Sequence, residues 1–566
     1  MINIFLFSFI SSIYLICAGS IFYAKKNNGI SDVYTSIFFG SSFLGFGSVI
    51  INFYLPLDIV INSIIFILIL FVGLFLILKR KNLFNVIICS LLISLISTLI
   101  LSYDTIYRPD ANLYHLPFTK IINENKIIFG ISNIHFRFGH ISILQYLNAN
   151  FYNFLFKENG ILIPAAIIFS SFVLYFYNEI KNNTEKNKIY TFYIFLLLAY
   201  MLYGYNRYSE FGNDTISHLY FFLISSYFLK DNYNENIAVE DFTKIVLLSL
   251  FCFMLKTSLV FVFIIPLYIF IFKFKKKYIF NLSNIFILLV SLSWIIKNLI
   301  ISGCVIYPVE VTCFNNLDWM SNNPEDLISP LIQSLDNEAW TKGWPDYKER
   351  SVTQQTYVEN FYWLPTWLSN HGLLIFKKMS IYAFIILIII LVLKKIHTKG
   401  GLSKTKFNNY NINLLLLFSL MCVFIWFIRF PVFRYGSSYI VVLLVTISTI
   451  SIIKFKFIEL NTVKYKKFLN VSIIIFFVLF SLKHTLRIYK NYNDLSTSNP
   501  WPQFPKKENT KLMSRPILID GKFAYFRLRE KMGGCGYTSA PCTPYPVKNN
   551  IYLKKINGYK FYLIKK

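Results

Sequence analysis

The residues best suited to chemistry gather between positions 102 and 142, which read SYDTIYRPDANLYHLPFTKIINENKIIFGISNIHFRFGHIS. Asp104, Arg108, Asp110, His115, Lys120, Glu124, His135, Arg137 and His140 all lie here, including three of the seven histidines of the chain. A carboxylate held near a hydroxyl or amine acts as a general base, worth typically about 10²–10⁴-fold in rate. Nearby cations steady a departing anion. Asp110 is the candidate base, with Asp104, His115 and Arg137 as candidate substrate contacts. Further along, Asp214 ends the polar turn NRYSEFGNDT, after Glu210. Lys256 sits inside a long apolar run, and Lys297 lies near the end of another. Arg429 and Arg434 bracket the turn RFPVFRYGS. A charge inside an apolar run costs a few kcal/mol and usually faces a cavity, so these positions are site candidates.

Each has a plainer role to set beside the chemical one. Asp110 follows a proline and precedes a helical pattern, so it also reads as a helix N-cap. Asp104 reads as a solvated span end. His115 faces either a cavity or an aromatic packing surface. Arg137 either binds phosphate or snorkels at an interface, and Arg429 and Arg434 also read as interfacial anchors. Lys256 has the fewest innocent explanations.

The elements that must position these groups are apolar helices. The 566 residues are 55% hydrophobic and 15% charged, with a mean hydropathy of +0.52, whereas a soluble chain carries about a quarter charged residues. Runs near the twenty or so residues that cross a bilayer recur along the chain. They are continuous, not alternating, which excludes a β-barrel. The reading is an all-α polytopic membrane protein with about 12–14 transmembrane segments. The net charge of +28 lies in clusters between apolar runs, as the positive-inside rule expects. It therefore reports topology, not a nucleic-acid partner. The N-terminus lacks a basic leader and reads as a first span.

Spans are expected at 3–24, 33–54, 58–78, 83–103, 160–178, 189–205, 215–229, 279–301, 373–394, 411–428, 437–453 and 468–486. The run 244–272 is too long for one crossing and reads as two half-crossings broken near Lys256. Segment 141–156, with Gln145, Asn148, Asn150 and Asn153, suits an interfacial helix. Basic clusters then place the loops 104–158 and 302–371 outside a cytoplasmic membrane. The chain divides into a transmembrane domain, 1–486, and a small extracytoplasmic α/β or β domain, 487–566, with a hairpin at Asn557-Gly558. Of eight cysteines, four sit in apolar runs, where cysteine behaves as a small hydrophobe. Cys304/Cys313 and Cys535/Cys542 form local pairs without zinc-type partners. On the outer side they are disulfide candidates.

The stretch Asp110-ANLYHLPFTK, ending at Lys120 and with Gly130 beyond, follows an outward span and resembles the first outer loop of GT-C membrane glycosyltransferases. That superfamily includes protein O-mannosyltransferases, aminoarabinose transferases and oligosaccharyltransferases. Those enzymes often pair two acids there; Ala111 stands at the second position here. Asp214 matches their second outer acid, and Lys256-Thr257 a Lys-Thr pair in a later run. The patterns YHLP, Asn133-to-Gly139, GNDT and WIIKNLIISG also resemble a group of bacterial membrane proteins related to these enzymes. The resemblance covers roughly residues 83–310. It implies a GT-C-like fold and an inverting transferase that uses a sugar on a polyprenyl phosphate. The acceptor would be a glycan, lipid or protein, with membrane lipids as further partners. Asp110 would then be catalytic, with Asp104, His115, Arg137, Asp214, Lys256, Lys297 and Arg434 binding substrate. No cofactor is required by the spacing, although the carboxylates at 104, 110 and 214 can hold a divalent cation. Two other classes compete: a polysaccharide polymerase or O-antigen-ligase-like enzyme using Arg350 and His371 of the second loop, and a lipid-linked sugar transporter.

Overall fold

The protein is described by a computed structural model at residues 1–22, 29–104, 110–205, 212–230, 237–274, 282–320, 329–349, 351–396, 410–454, 462–495, 499–502, 514–519, 522–528, 535–537, 540–544, 547 and 551–564. Among these, ten helices are long and apolar enough to cross a membrane. The chain is a multi-pass helical membrane protein. The number falls below the expected 12–14 because several crossings are short. Helices α8 (Lys188–Gly204), α9 (Asp214–Lys230) and α10 (Val239–Leu255) have 17 residues each.

The chain opens with α1 (Ile2–Phe22), α2 (Ile30–Tyr54), α3 (Ile59–Lys79) and α4 (Leu83–Leu101). Small residues set their spacing. A Cβ on Gly19 would lie 1.8 Å from the carbonyl oxygen of Ser36, and one on Gly40 2.0 Å from that of Leu15. Without a solvent-driven force between helices in lipid, such close backbone approach is what packs them.

After α4, the π-helical turn Ala111–His115 runs into α5 (Leu116–Glu124), and short turns lead to α6 (Ile143–Asn150). Every residue of α6 is buried, so it is covered by protein and is not the interfacial helix expected. Its polar side chains are used internally: Asn150 accepts a 2.8 Å bond from Tyr14, and Gln145 caps Ser142. Helices α7 (Ile163–Asn183), α8 and α9 follow, buried along most of their length.

The run 244–272 is broken where expected. Helix α10 ends at Leu255, Lys256 is extended at φ −154°, and a 3-10 turn leads to α11 (Ile264–Phe272). The two arms form a hairpin. The amide of Ile237 donates to Lys273 at 3.0 Å, and the Phe242 and Phe274 rings lie 4.4 Å apart. Lys256 therefore sits at the hairpin tip.

Helix α12 (Leu282–Ser302) leads to a loop bearing α13 (Pro330–Thr341), α14 (Gln354–Glu359) and α15 (Trp363–Trp367). The chain then continues through α16 (Leu373–Ile396), α17 (Tyr410–Arg429), α18 (Phe433–Lys454) and α19 (Thr462–Leu495).

The tail holds β1 (Ser514–Ile519), β2 (Lys522–Leu528) and β3 (Cys542–Thr543) in one sheet, with β2 central, and a hairpin of β4 (Ile551–Ile556) and β5 (Tyr559–Ile564). The hairpin turns at Asn557 (φ 50°) and Gly558 (φ 81°), the left-handed pair that a two-residue turn requires. Both expected disulfides, Cys304–Cys313 and Cys535–Cys542, are formed. The tail is joined to the 102–142 loop. Phe129 and β5 exchange two backbone bonds of 2.9 Å, and Gly536 donates to Asn112 at 2.9 Å. The Tyr537 hydroxyl bonds Asn123 at 3.0 Å.

Candidate functional site

Four elements deliver charged side chains to one place at an end of the bundle. Asp110 opens the π-helical turn and makes no capping bond with its side chain, which sets aside the N-cap reading. Asp214 is the first residue of α9, where a carboxylate complements the helix dipole. Lys256 follows the last residue of α10, where a cation does the same. Arg434 lies in the first turn of α18. A cation is disfavoured there by the dipole, so the guanidinium depends on its carboxylate neighbours.

The groups interlock. Arg434 Nη1 lies 2.6 Å from Asp110 Oδ2. Lys256 Nζ is ion-paired with Asp214 and also donates to the main-chain oxygen of Arg434 at 2.5 Å. That oxygen further accepts from His218 Nε2 at 3.0 Å, while His218 Nδ1 meets the Ser438 hydroxyl at 2.9 Å. A carbonyl cannot donate, so His218 carries its proton on Nε2 and accepts from Ser438. Asn213 donates to the carbonyl of Leu255 and ties the start of α9 to the end of α10. Aromatic faces line the cations. Lys256 lies 4.6 Å from the Tyr435 ring centroid, and Arg434 lies 5.1 Å from Trp340 and 5.2 Å from Tyr435. Trp340 comes from α13, so the second loop reaches the cluster.

His115 and Arg137 border the same group. Burial carries the His115 imidazole down to about 4, against the pull of Asp110 and Asp214. Gln145 turns its amide nitrogen toward His115 Nδ1, because its oxygen is occupied by the Ser142 amide. His115 is therefore neutral near pH 7, with its proton on Nε2. Arg137 stacks 5.3 Å from Tyr114 and, among the described residues, forms no ion pair. Burial pushes the Asp110 carboxyl up, but Arg434 and Arg137 outweigh it and hold it below the usual range. Against two carboxylates, Asp110 and Asp214, stand three cations, Arg434, Lys256 and Arg137. Among the described residues the cluster therefore carries one net positive charge and suits an anionic ligand.

Two expected residues stand in other contacts. Asp104 lies 3.2 Å from Arg487, which also donates to the carbonyls of Leu99, Ile100 and Ser102. That arrangement closes the end of α4. Lys297 is fully buried, with its ammonium 3.4 Å from the Trp294 ring centroid, and belongs to none of the ion pairs above. Arg429 is largely exposed and lies 3.6 Å from Glu338. His371 lies in the turn Leu368–Gly372, 6.5 Å from the Trp340 ring. Arg108, Glu210 and Arg350 fall outside the described residues. No group of three His, Cys, Asp or Glu side chains converges among the described residues as a metal site would require. Sequence reasoning missed His218, Gln145, Tyr435 and Trp340. His218 is hidden in an apolar helix, but Tyr435 adjoins Arg434 and was open to notice.

Among the described residues, ten apolar helices with a charged cluster at one end of the bundle define a polytopic membrane protein. Residues 1–441 match the family described as Domain of unknown function (DUF8201), and the chain belongs to that family. No curated protein and no solved structure matches it. The matched region holds the whole cluster from Asp110 to Arg434, while the strands of the tail lie beyond it.

Proposed function

We propose that the protein is an inverting, GT-C-like glycosyltransferase. It takes a sugar from a polyprenyl phosphate at the outer face of the cytoplasmic membrane, in cell-surface glycan or glycolipid assembly. The observation that carries this reading is the linked pair of ion pairs, Asp110–Arg434 and Lys256–Asp214, with an excess of cation around them. In this reading the donor phosphate competes with Asp110 for Arg434. A carboxylate paired to a guanidinium is a weak base, and losing that partner raises its proton affinity. The acceptor O–H or N–H then attacks the anomeric carbon and gives its proton to Asp110. The bond from that carbon to the phosphate oxygen breaks with its electron pair on the phosphate. Arg434, Lys256 and Arg137 meet the charge on the departing lipid phosphate.

A second enzyme reading, a polymerase or ligase acting through the 302–371 loop, draws on Trp340 of that loop lying against Arg434. One experiment separates the two: release of lipid phosphate from a polyprenyl-phosphate sugar by the purified full chain in liposomes. Loss of release in Asp110→Asn, with Arg350→Ala still active, supports the first reading. The reverse pattern supports the second. If Asp110→Asn turns over normally, Asp110 is not the base.

A further inference from the structure

Trp340 is left in the open on a rigid mount. The chain has eight tryptophans, all among the described residues, and Trp340 alone is exposed, at 41%. Its neighbours in α13, Ala339 and Thr341, are fully buried. Lys342, next along, pairs with Glu338 at 2.7 Å, and its carbonyl accepts from the Tyr357 hydroxyl at 2.9 Å. The backbone that carries the indole is therefore fixed while the ring stays accessible.

Its place gives that exposure a use. The ring centroid lies 5.1 Å from the Arg434 guanidinium and 6.5 Å from the His371 ring. His371 interacts electrostatically with both Arg434 and Asp346, and Asn370 donates to Asp346 at 2.7 Å. The way in is open. Arg434 and Asp110 each keep 30% of the side chain exposed, Asp214 keeps 35%, and Asp346 is exposed. An aromatic face, a carboxylate, an amide and an imidazole thus adjoin the cations of the cluster.

That combination suits one kind of ligand. The C–H groups on a pyranose ring are drawn to the negative face of an aromatic ring. Its hydroxyls both donate and accept, and the amide, carboxylate and imidazole offer both kinds of partner. A prenyl chain would use the indole and leave the polar groups idle. A free anion would use Arg434 and leave the indole idle.

The geometry points to a pyranose subsite on Trp340, His371, Asn370 and Asp346, taken by the sugar of the donor. This inference rests on the transferase reading, in which Arg434 holds the donor phosphate. The sugar then begins one bridging oxygen beyond that phosphorus, beside the indole. The subsite favours the loaded lipid over the spent lipid phosphate, which has no sugar to stack.

The test is competition between the two forms. The full chain is placed in phosphatidylcholine nanodiscs with equal amounts of undecaprenyl phosphate and the same lipid carrying glucose, mannose or N-acetylglucosamine, one sugar per experiment. Native mass spectrometry counts both bound forms. Wild type should prefer the loaded form by about ten-fold for at least one sugar, the scale of one good aromatic contact. Trp340→Leu keeps apolar bulk without the aromatic face and should bring the ratio near one, while Trp340→Phe should keep most of it. Asn370→Ala should lower the ratio about three-fold, as expected for one lost hydrogen bond; it decides the matter if Trp340→Leu does not fold, and an unchanged ratio there would overturn the subsite. A wild-type ratio near one for all three sugars would also overturn it. So would an unchanged ratio in Trp340→Leu, even with both forms weakened, because the indole then only steadies Arg434 or the prenyl chain. Failure of the underlying reading looks different. If bare lipid binds wild type and Arg434→Met alike, the cluster holds no lipid phosphate and both ideas fall. Bare-lipid binding that needs Arg434 but shows no sugar preference removes the subsite and leaves the transferase reading standing.

Discussion

The link between Asp110 and Arg434 is open to a direct energetic test. The perturbation is a double-mutant cycle made of Asp110→Asn, Arg434→Met and the pair. The contact is 2.6 Å, and each side chain is 30% exposed. Two unit charges about 4 Å apart interact by about 4 kcal/mol at an effective dielectric near 20. Breaking a fully buried pair costs about 3–5 kcal/mol, and a solvent-exposed pair couples by about 0.2–1 kcal/mol. A third exposed, this pair belongs between those limits, and partial solvent screening brings the expected coupling to about 1–2 kcal/mol. The single variants should differ in character. Asp110→Asn leaves Arg434 facing Asp214, while Arg434→Met leaves Asp110 with Arg137. The assay is equilibrium unfolding of the four proteins in mixed micelles. The double variant should be more stable than the two single losses sum to. Additivity within about 0.3 kcal/mol would refute the claim that these residues act as one unit.

Lys256→Met should destabilise by about 1–2 kcal/mol, because it strips a buried partner from Asp214, whose side chain is still 35% exposed; the same unfolding assay reads it, and Lys256→Arg should recover part of the loss. Acid should weaken the fold through His115. Its imidazole falls from 6.5 to about 4 on burial, so the unfolded chain takes up its proton first. Its contribution is complete above about pH 6.5 and declines toward about pH 4, by about 3 kcal/mol in all. Asp110 shifts in the same direction, and its contribution is likewise lost as pH falls, but only through its own depressed folded value. His115→Gln should therefore flatten the stability profile between pH 6.5 and 4.5, and an unchanged slope would exclude His115 as its source. Gly130→Ala should loosen the tail, since Gly130 has φ +65° and an added Cβ would meet the Tyr562 oxygen at 2.5 Å. Limited proteolysis should then cut the tail faster than in wild type.

How far the sequence led can be judged residue by residue. The break at Lys256 was legible, because a lysine inside a 29-residue apolar run has no comfortable place in one straight span. The hairpin at Asn557-Gly558 was legible from local turn chemistry, and both disulfides from their short separations. The pairing within the cluster was not. Asp110 and Arg434 are 324 positions apart, and nothing in either segment names the other. Asp104 looked like a site acid because its partner, Arg487, sits far along the chain in α19. Segment 141–156 looked interfacial because its asparagines and glutamine looked solvated. Gln145, Asn150 and Asn153 bond His115, Tyr14 and the local backbone instead, and periodicity does not carry that information.

The placement of the tail follows from the same unmet backbone groups. A loop as polar as 102–142 exposes donors and acceptors that its own short turns cannot satisfy. Much of what it lacks comes from the far end of the chain. Pro500 accepts from the Tyr103 amide at 2.8 Å, and Asn491 donates to the Tyr103 carbonyl at 2.6 Å. Lys560 reaches Asn125 at 2.7 Å, and the Tyr562 carbonyl accepts from Asn133 at 2.9 Å. These contacts hold the loop at both ends and across its middle, on either side of Asp110. The family match stops at residue 441, so these supports come from outside the matched region although the cluster lies within it. Strain or loss in the tail should therefore first be felt as a displaced Asp110, with the helices that carry Asp214, Lys256 and Arg434 still packed.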